Sequence, residues 1–260
     1  MTRDGRELFQ EAIDERIEAA REAEPIPAIA IIGFTGVGKS STLNSLFNAG
    51  RDITDVRPCP QEAEELHITC SERSGSKGSI RVWDMPGIGE SIKTDRKRMR
   101  KYLKVLPTVD VAVWVIQADF RAMTPMQQTL RRLKCRLGKS FVDRLVFVIN
   151  KADIIAPEDW NEDFNVPSRA QQKNIKEFEK YVRNAILEVL PTWKGDIVTY
   201  SAKKRYRLDQ LLLSMVKSFG VEKRRWTLSS IADVADSMDL MRPAYRSMVE
   251  EQLENRRARK

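Results

Sequence analysis

Cysteine, histidine and long apolar runs are all scarce in this 260-residue sequence. The three cysteines, Cys59, Cys70 and Cys135, are odd in number and lack the spacing of metal ligands. This excludes a fully paired disulfide framework and favours reduced thiols in a cytoplasmic protein. The only histidine, His67, lies in a predicted strand, so we expect it to be structural and assign it no chemistry.

No apolar run approaches the roughly 18 residues that a membrane-spanning helix needs. The amino terminus is charged throughout and does not resemble a signal peptide. We therefore expect a soluble protein, although one that could still bind peripherally to a membrane. The formal net charge of +8 favours nucleic acid, ribosomes or acidic lipid headgroups as partners, but mixed charges along the chain leave that choice open.

One eight-residue segment, from Gly33 to Ser40, matches the pattern G-x-x-x-x-G-K-[ST]. An apolar run precedes it and a segment with helical spacing follows, which is the strand–loop–helix context that the motif requires. Its glycines let successive backbone N–H groups turn towards an anionic phosphate chain at the positive end of a helix. We expect Lys39 to contact the β- and γ-phosphates and the Ser40 hydroxyl to ligate Mg²⁺.

Apolar strands alternate with amphipathic helices along most of the chain, and 42% hydrophobic residues are enough for a folded core. Strands are predicted at 27–32, 62–70, 79–83, 110–118, 144–149 and 197–200, and helices at 41–48, 93–106, 124–137, 171–190 and 208–219. We expect Thr124 to cap its helix, with Pro125 in the first turn. The alternation predicts an α/β fold with a mostly parallel sheet and one β-hairpin, and places ligands at the carboxyl ends of the strands.

The two ends of the chain predict helices of their own. An apolar stripe marks a helix over residues 5–23, and two further helices are predicted after residue 221, separated near Pro243. We therefore expect an N-terminal helix over 1–24, a central domain over 25–220 and a helical extension over 221–260. These ends either pack on the central domain or contact a partner or membrane.

The segment Asp84-Met85-Pro86-Gly87 closes the second strand of the hairpin. After a strand and downstream of a phosphate loop, such an Asp is expected to hold Mg²⁺, and the Gly87 N–H to sense a γ-phosphate. The most basic run of the chain follows, from Lys93 to Lys104. Its expected buried face consists of Met99, Tyr102, Leu103 and Leu106. The rest is either a solvated surface or a nucleotide-gated contact for an acidic partner.

Asn150-Lys151-Ala152-Asp153 follows directly on a buried strand and predicts which base is bound. The Asp153 carboxylate can accept hydrogen bonds from both N1–H and the 2-amino group of guanine. Adenine has no 2-amino group and carries an acceptor at N1, so it would leave the carboxylate unpaired. We expect Asn150 to join neighbouring loops and the Lys151 stem to lie over the base.

The motifs GFTGVGKS, DMPG, NKAD and SAK, in this order, resemble the translation-factor-related GTPases. In detail these motifs are similar to those of the Era-like branch, including a little-characterised bacterial group, and to those of the immunity-related GTPases. The resemblance covers roughly residues 27–220. It implies a three-layer P-loop GTPase fold, with a mostly parallel six-stranded sheet, one antiparallel edge hairpin and helices at both ends. It also implies binding of GTP or GDP with Mg²⁺.

The same resemblance implies roles for individual positions. Phosphates would be held by Gly33, Thr35, Gly36, Val37, Gly38, Lys39, Ser40 and Ser41. Mg²⁺ would be held by Ser40 and Asp84, and the γ-phosphate sensed by Gly87, with Lys39 and Gly87 serving catalysis. Guanine would be read by Asn150, Lys151 and Asp153, together with Ser201, Ala202 and Lys203.

Two positions depart from the family pattern. Pro60, without a hydroxyl, occupies the place of the usual Mg²⁺-binding threonine, for which Thr54 is a candidate substitute. Ile88 occupies the place of a water-orienting glutamine, so unaided hydrolysis should be slow. We expect a GTP-hydrolysing switch activated by dimerisation or by a partner. The alternatives are a self-assembling or membrane-associated GTPase and a ribosome- or RNA-associated one, although the chain shows no KH-type or RNP segment.

Overall fold

The structure is a computed structural model that describes residues 26–47, 63–71 and 77–219. The elements in chain order are β1 (Ala28–Gly33), α1 (Lys39–Phe47), β2 (Glu64–Ser71), β3 (Lys77–Asp84), α2 (Ile92–Val105), β4 (Val111–Gln117), α3 (Met123–Leu137), α4 (Lys139–Asp143), β5 (Leu145–Asn150), β6 (Trp160–Asn161), β7 (Val166–Pro167), α5 (Arg169–Leu187), β8 (Ile197–Thr199) and α6 (Leu208–Lys217). Short 3₁₀ turns cover Leu106–Thr108 and Ala152–Ile154.

Six strands form one sheet in the order β2-β3-β1-β4-β5-β8. Only the edge pair β2–β3 is antiparallel; β1 pairs in parallel with β3 on one side and β4 on the other. The predicted mostly parallel six-stranded sheet with one antiparallel edge hairpin is therefore confirmed. The small hairpin β6–β7 was not predicted, because its two-residue strands are too short to give a periodic pattern.

Helices cover both faces of the sheet, which gives three layers. One core contains Tyr102 of α2, Leu130 of α3 and Val182 of α5. The other contains Leu43 of α1 and Leu212 of α6. Because each central strand is covered on both sides, β1 and β5 are buried along their whole length, as parallel strands between helical layers require.

The start of α3 corrects one prediction. Pro125 lies in the first turn, but the helix begins at Met123, with Ala122 rather than Thr124 at the capping position and no capping side-chain hydrogen bond. The prediction was wrong because Thr124 is already helical, so its hydroxyl is not placed to receive the first free N–H groups.

The buried face of α2 differs partly from the predicted one. Tyr102 and Leu106 are buried, whereas Met99 and Leu103 are only partly so. Arg98, in the middle of the basic run, is only 2% exposed. Burying a charge costs free energy, so charges are buried only where polar partners compensate that cost. The partners of Arg98 lie in another segment.

Several predictions fall on residues that the structure does not describe. These are the helix over 5–23, the two helices after 221, and the loop that contains Thr54 and Pro60. Of the three cysteines, Cys135 is an exposed free thiol. Among the described residues, no helix is both long enough and apolar enough to cross a bilayer.

Candidate functional site

The four motif segments meet at one edge of the sheet. Gly33 ends β1, Asp84 ends β3, Asn150 ends β5, and Ser201 follows β8 by two residues. These strands are parallel neighbours or lie on either side of β4, so their carboxyl ends face the same way. In open α/β sheets this edge is where ligands bind.

The phosphate loop, which we define as residues 33–40, requires glycine for two reasons. Gly36 and Gly38 have φ angles of +82° and +90°, a region that other residues avoid. In addition, a Cβ on Gly38 would lie 2.4 Å from the side-chain nitrogen of Asn150. The backbone therefore forms a tight turn immediately before α1 and touches the loop after β5.

Lys39 and Ser40 are the first two residues of helix α1, and Ser40 faces the end of β3. The Lys39 side chain is buried, and its Nζ donates to the Phe34 carbonyl oxygen at 2.9 Å. The Ser40 hydroxyl donates to Asp84 Oδ2 at 2.9 Å. An ammonium group thus lies inside the turn, and a hydroxyl and a carboxylate oxygen lie together beside it.

The Ser40–Asp84 pair fits Mg²⁺ by its chemistry. Magnesium prefers oxygen donors and is usually held by one or two protein ligands, with substrate phosphates and water completing its shell. No group of three or more His, Cys, Asp or Glu side chains that could hold a metal alone occurs within residues 26–47, 63–71 and 77–219. A hydroxyl and a carboxylate oxygen suit a metal that takes its other ligands from a phosphate group and water.

Asn150 and Lys151 join three loops. Asn150 Nδ2 donates to the Val37 carbonyl oxygen at 3.0 Å, and Asn150 Oδ1 accepts from the Ala202 N–H at 3.0 Å. Lys151 has a left-handed backbone, with φ of +64°, and its Nζ donates to the Gly36 carbonyl oxygen at 2.9 Å. These bonds fix the loop after β5 against the phosphate loop.

Asp153 is partly exposed and held from two sides. Its Oδ1 accepts a short hydrogen bond from the Ser201 hydroxyl. Gln171, fully buried in the first turn of α5, donates from Nε2 to the carbonyl oxygens of Ile155 at 2.8 Å and Asp153 at 3.2 Å. Sequence analysis missed Gln171, because nothing local shows that its amide reaches back to this loop.

A second missed contact joins the end of β8 to α1. The hydroxyl oxygens of Tyr200 and Thr42 are 2.6 Å apart, and Thr42 donates to the Gly38 carbonyl oxygen at 2.7 Å. Complete burial raises the pKa of Tyr200 far above its usual value, so the phenol stays neutral. The neutral Tyr200 side chain therefore supports the phosphate loop through Thr42.

Gly87 and Thr35 approach each other closely. A Cβ on Gly87 would lie 2.7 Å from both the Cα and the Oγ1 of Thr35. The predicted residues thus fall into one connected set: the phosphate loop with Ser41, Asp84 and Gly87, and residues 150–153 with Ser201 and Ala202. Lys203 is exposed beside them. Thr54 and Pro60 lie outside the described residues.

Comparisons with known proteins find a matching family model and similar sequences. Residues 28–151 match the family model described as 50S ribosome-binding GTPase. The chain is 33% identical over 150 residues to the protein YkfA of Escherichia coli (strain K12), covering 57% of this chain and 48% of YkfA. It is 31% identical over 167 residues to YfjP of the same organism, covering 64% and 53%. The chain thus spans about half the length of these relatives.

A solved structure shares the fold. The crystal structure of Aquifex aeolicus Era Y63A bound to GDP·AlF₄⁻ aligns with a TM-score of 0.52 at 22% identity, covering 76% of this chain and 58% of that one. At this level of identity the similarity concerns the arrangement of strands and helices, and it places this chain among folds of the same architecture.

Proposed function

We propose that this chain is a P-loop GTPase that works as a guanine-nucleotide switch, because residues 28–151 match the family model described as 50S ribosome-binding GTPase. It binds GTP and hydrolyses it to GDP and phosphate. The observation that carries the proposal is Asn150, the first residue of the segment 150–153, which ties the phosphate loop through Val37 to the segment after β8 through Ala202. A phosphate cradle and a guanine-reading carboxylate thereby belong to one rigid site.

The phosphate end of the site works through charge and dipoles. The backbone N–H groups of the phosphate loop and the Lys39 ammonium neutralise the triphosphate, and most strongly when charge builds up in the transition state. Ser40 and Asp84 would hold Mg²⁺, which supplies additional neutralisation of the phosphate oxygens. Water attacks the γ-phosphorus, the bond to the β-phosphate oxygen breaks, and GDP leaves.

The base end of the site selects guanine. Asp153 accepts from two neighbouring donors of guanine, whereas adenine presents a donor and acceptor pattern that leaves the carboxylate unpaired. The Ser201 hydroxyl and the Gln171 amide hold Asp153 and its loop in place before the nucleotide arrives. Such preorganisation lowers the cost of binding.

Calorimetry on the full chain with Mg²⁺ tests this proposal. GTP and GDP should bind with measurable heat, and ATP should bind at least about 100-fold more weakly because of the unpaired Asp153. Turnover should yield GDP and phosphate. Equal affinity for ATP and GTP would contradict the assignment of guanine, and no heat with either guanine nucleotide would refute the whole proposal.

The domain boundaries that we propose are those that the sequence pattern predicts. Residues 25–220 would form the nucleotide-binding domain, with helical extensions over 1–24 and 221–260.

Because Ile88 cannot orient water, we propose that turnover rises when two copies dimerise across the nucleotide face or when a partner binds. A cytoplasmic location is proposed on the three cysteines, whose odd number and spacing favour reduced thiols, with peripheral membrane contact as the alternative.

A second candidate function is binding to ribosomal RNA, and the charge of two helices favours it. Helices α2 and α3 lie on the same face of the sheet and contact each other. Apart from the buried Arg98, their basic residues are Lys93, Arg96, Lys97, Arg100, Lys101, Lys104, Arg131, Arg132, Lys134 and Arg136. Asp95 is the only acidic residue in either helix. A surface of one sign attracts a polyanion.

RNA fits this basic face better than a membrane does. Helices that lie on membranes combine their cations with exposed Leu, Phe or Trp side chains. The only large apolar side chain that is well exposed on α2 or α3 is Ile92, at the first residue of α2. Phosphate groups need only cations, and the face supplies them.

Replacing Arg96, Lys97, Arg100 and Lys101 by glutamine should weaken binding to ribosomal RNA. Roughly three or four phosphate contacts would be lost, so the slope of log affinity against log salt should fall by about 2 to 3. The measurement is co-sedimentation between about 50 and 200 mM salt, a range in which such contacts change affinity strongly.

The matched control removes the same charge from a helix of mixed sign. Arg169, Lys173, Lys176 and Lys180 of α5 are replaced by glutamine, and RNA binding should change little. Equal losses in both variants would show that only net charge matters. Stronger binding of the unmodified protein to phosphatidylserine vesicles than to RNA would favour the membrane alternative.

A further inference from the structure

The turn after β3, residues 87–91, is docked on the phosphate loop. The Thr35 N–H donates to the Ile88 carbonyl oxygen at 2.9 Å, and the Ile88 N–H donates to the Gly33 carbonyl oxygen at 3.2 Å. These bonds continue the parallel pairing of β1 and β3 beyond the sheet itself, with Phe34 bridged to Ile88. The turn therefore approaches the phosphate loop through its backbone, and the Ile88 side chain is buried in the core.

Glu90 brings a carboxylate to the same place. The Thr35 hydroxyl donates to Glu90 Oε1 at 3.2 Å, and Arg98 Nη2 lies 2.9 Å from Glu90 Oε2. The Glu90 side chain is 36% exposed, whereas that of Arg98 is 2% exposed. Solvent therefore reaches the carboxylate, but not the guanidinium group behind it.

Arg98 fixes the turn at two points. Besides its ion pair with Glu90, its Nη1 donates a short hydrogen bond to the Gly87 carbonyl oxygen. The Tyr102 hydroxyl, one helical turn further along α2, donates to the Pro86 carbonyl oxygen at 3.0 Å. Burying an arginine is costly unless its partners are well placed, so this pairing holds the turn and the carboxylate in one geometry.

The start of α2 does not need Glu90 for its own stability. Ser91 caps the helix by accepting from the Thr94 N–H, and Asp95 accepts from the Gly89 N–H at 3.0 Å. The Glu90 carboxylate is therefore left to act outside the helix, beside Thr35. Because Thr35 also lies against Gly87, this carboxylate reaches the side of the loop where a γ-phosphate would meet water.

We propose that Glu90 orients the attacking water in place of Ile88, and that Arg98 is the residue that positions it. The inference rests on the proposed GTP hydrolysis. The carboxylate exchanges the Thr35 hydroxyl for a water O–H and directs the water oxygen at the γ-phosphorus. As the bond to the β-phosphate oxygen breaks, its electron pair leaves with GDP and the proton passes to the phosphate product.

The charges around Glu90 suit this role. The hydrogen bond and charge of Arg98 keep the pKa of Glu90 below its usual value, with smaller contributions from the Thr35 hydroxyl and Lys39. The carboxylate is thus ionised and able to accept from water at neutral pH. Arg98 also offsets its negative charge, which would otherwise repel the triphosphate.

Replacing Glu90 by glutamine in the full chain should lower single-turnover hydrolysis of GTP by about 100-fold, as expected for loss of a group that accepts from the reacting water. GTP and GDP affinity by calorimetry should stay within about threefold, because no phosphate or base contact is removed. Glu177→Gln on α5 is the matched control and should leave the rate unchanged. Each rate is measured at several protein concentrations.

Arg98→Met is tested by the pH dependence of the hydrolysis rate, which the loss of a purely structural residue would leave unchanged. The rate of the unmodified protein should fall at acidic pH as Glu90 is protonated. Loss of Arg98 should move that fall to higher pH, while Glu90→Gln should abolish it. Arg98 and Lys39 are the cations that face Glu90, and Asp95 is the nearby acid on α2. Arg169→Met, at an exposed position of α5, is the control.

The outcomes separate this inference from the proposed function. If the unmodified protein and Glu90→Gln both bind GTP and hydrolyse it equally fast, Glu90 does not orient the water and the nucleotide site stands. An unchanged pH profile in Arg98→Met refutes the positioning role of Arg98. If the unmodified protein gives no heat with GTP or GDP, both the function and the inference fail.

Discussion

Replacing Asp153 by asparagine is expected to shift base preference from guanine to xanthine. The asparagine amide cannot accept from both N1–H and the 2-amino group, so GTP affinity should fall by about 10² to 10⁴-fold, the cost of losing one or two charge-assisted hydrogen bonds. Xanthine carries an oxygen in place of the 2-amino group, and the new amide N–H₂ can donate to it. Calorimetry with GTP, XTP and ATP measures the shift.

The control for this substitution is Asp159→Asn, at an exposed position that follows the same loop. It removes the same charge and should leave all three affinities unchanged. If Asp153→Asn bound GTP as tightly as the unmodified protein, Asp153 would not read the base. If it lost GTP without gaining XTP, the loop would have been disturbed, and the Ser201 bond would be the first contact to examine.

Replacing Gly87 by alanine is expected to abolish hydrolysis while GDP still binds. The added methyl group would lie 2.7 to 2.8 Å from the backbone of Thr35, closer than non-bonded atoms allow, so the turn after β3 must move off the phosphate loop. The Gly87 N–H and Glu90 then lose their positions. Single-turnover GTP hydrolysis should fall at least about 100-fold, and calorimetry should show GDP affinity nearly unchanged.

Gly195→Ala supplies a control of similar severity. Its methyl group would lie 2.6 Å from the Trp193 ring, away from the phosphate loop, so it should affect the unfolding temperature without slowing hydrolysis. Normal turnover in Gly87→Ala would mean that the turn is not docked during catalysis. Loss of GDP binding as well would mean that the phosphate loop, rather than the turn, had moved.

Much of the fold could be predicted because its signals are local. The strands of a parallel sheet covered on both sides are continuous apolar runs, and those at 110–118 and 144–149 appear in the structure as β4 and β5. The phosphate loop was equally clear, because its glycine spacing answers a backbone requirement within eight residues. The capping residue of α3 could not be predicted, because whether Thr124 or Ala122 occupies that position depends on how the chain leaves β4.

The basic run after β3 shows where local patterns fail. By sequence, Arg98 is one cation among several on a helix, and the general expectation for each is a solvated surface. Its burial depends on its contacts with Gly87 and Glu90, which the turn after β3 brings next to the helix. Gln171 and Tyr200 are similar cases, since their partners lie 16 and 158 residues away.

The sequence by itself therefore determined which residues are available for the proposed chemistry: glycines and a lysine for phosphate, a hydroxyl and a carboxylate for Mg²⁺, and a second carboxylate for guanine. Each of these is written in a few adjacent residues, because the backbone geometry or the donor pattern that it needs is local. Only the tertiary structure decided how the segments hold one another, through Asn150, Gln171 and the Arg98–Glu90 pair. Contacts of this kind join loops from different strands, and no short-range pattern records which loops will meet.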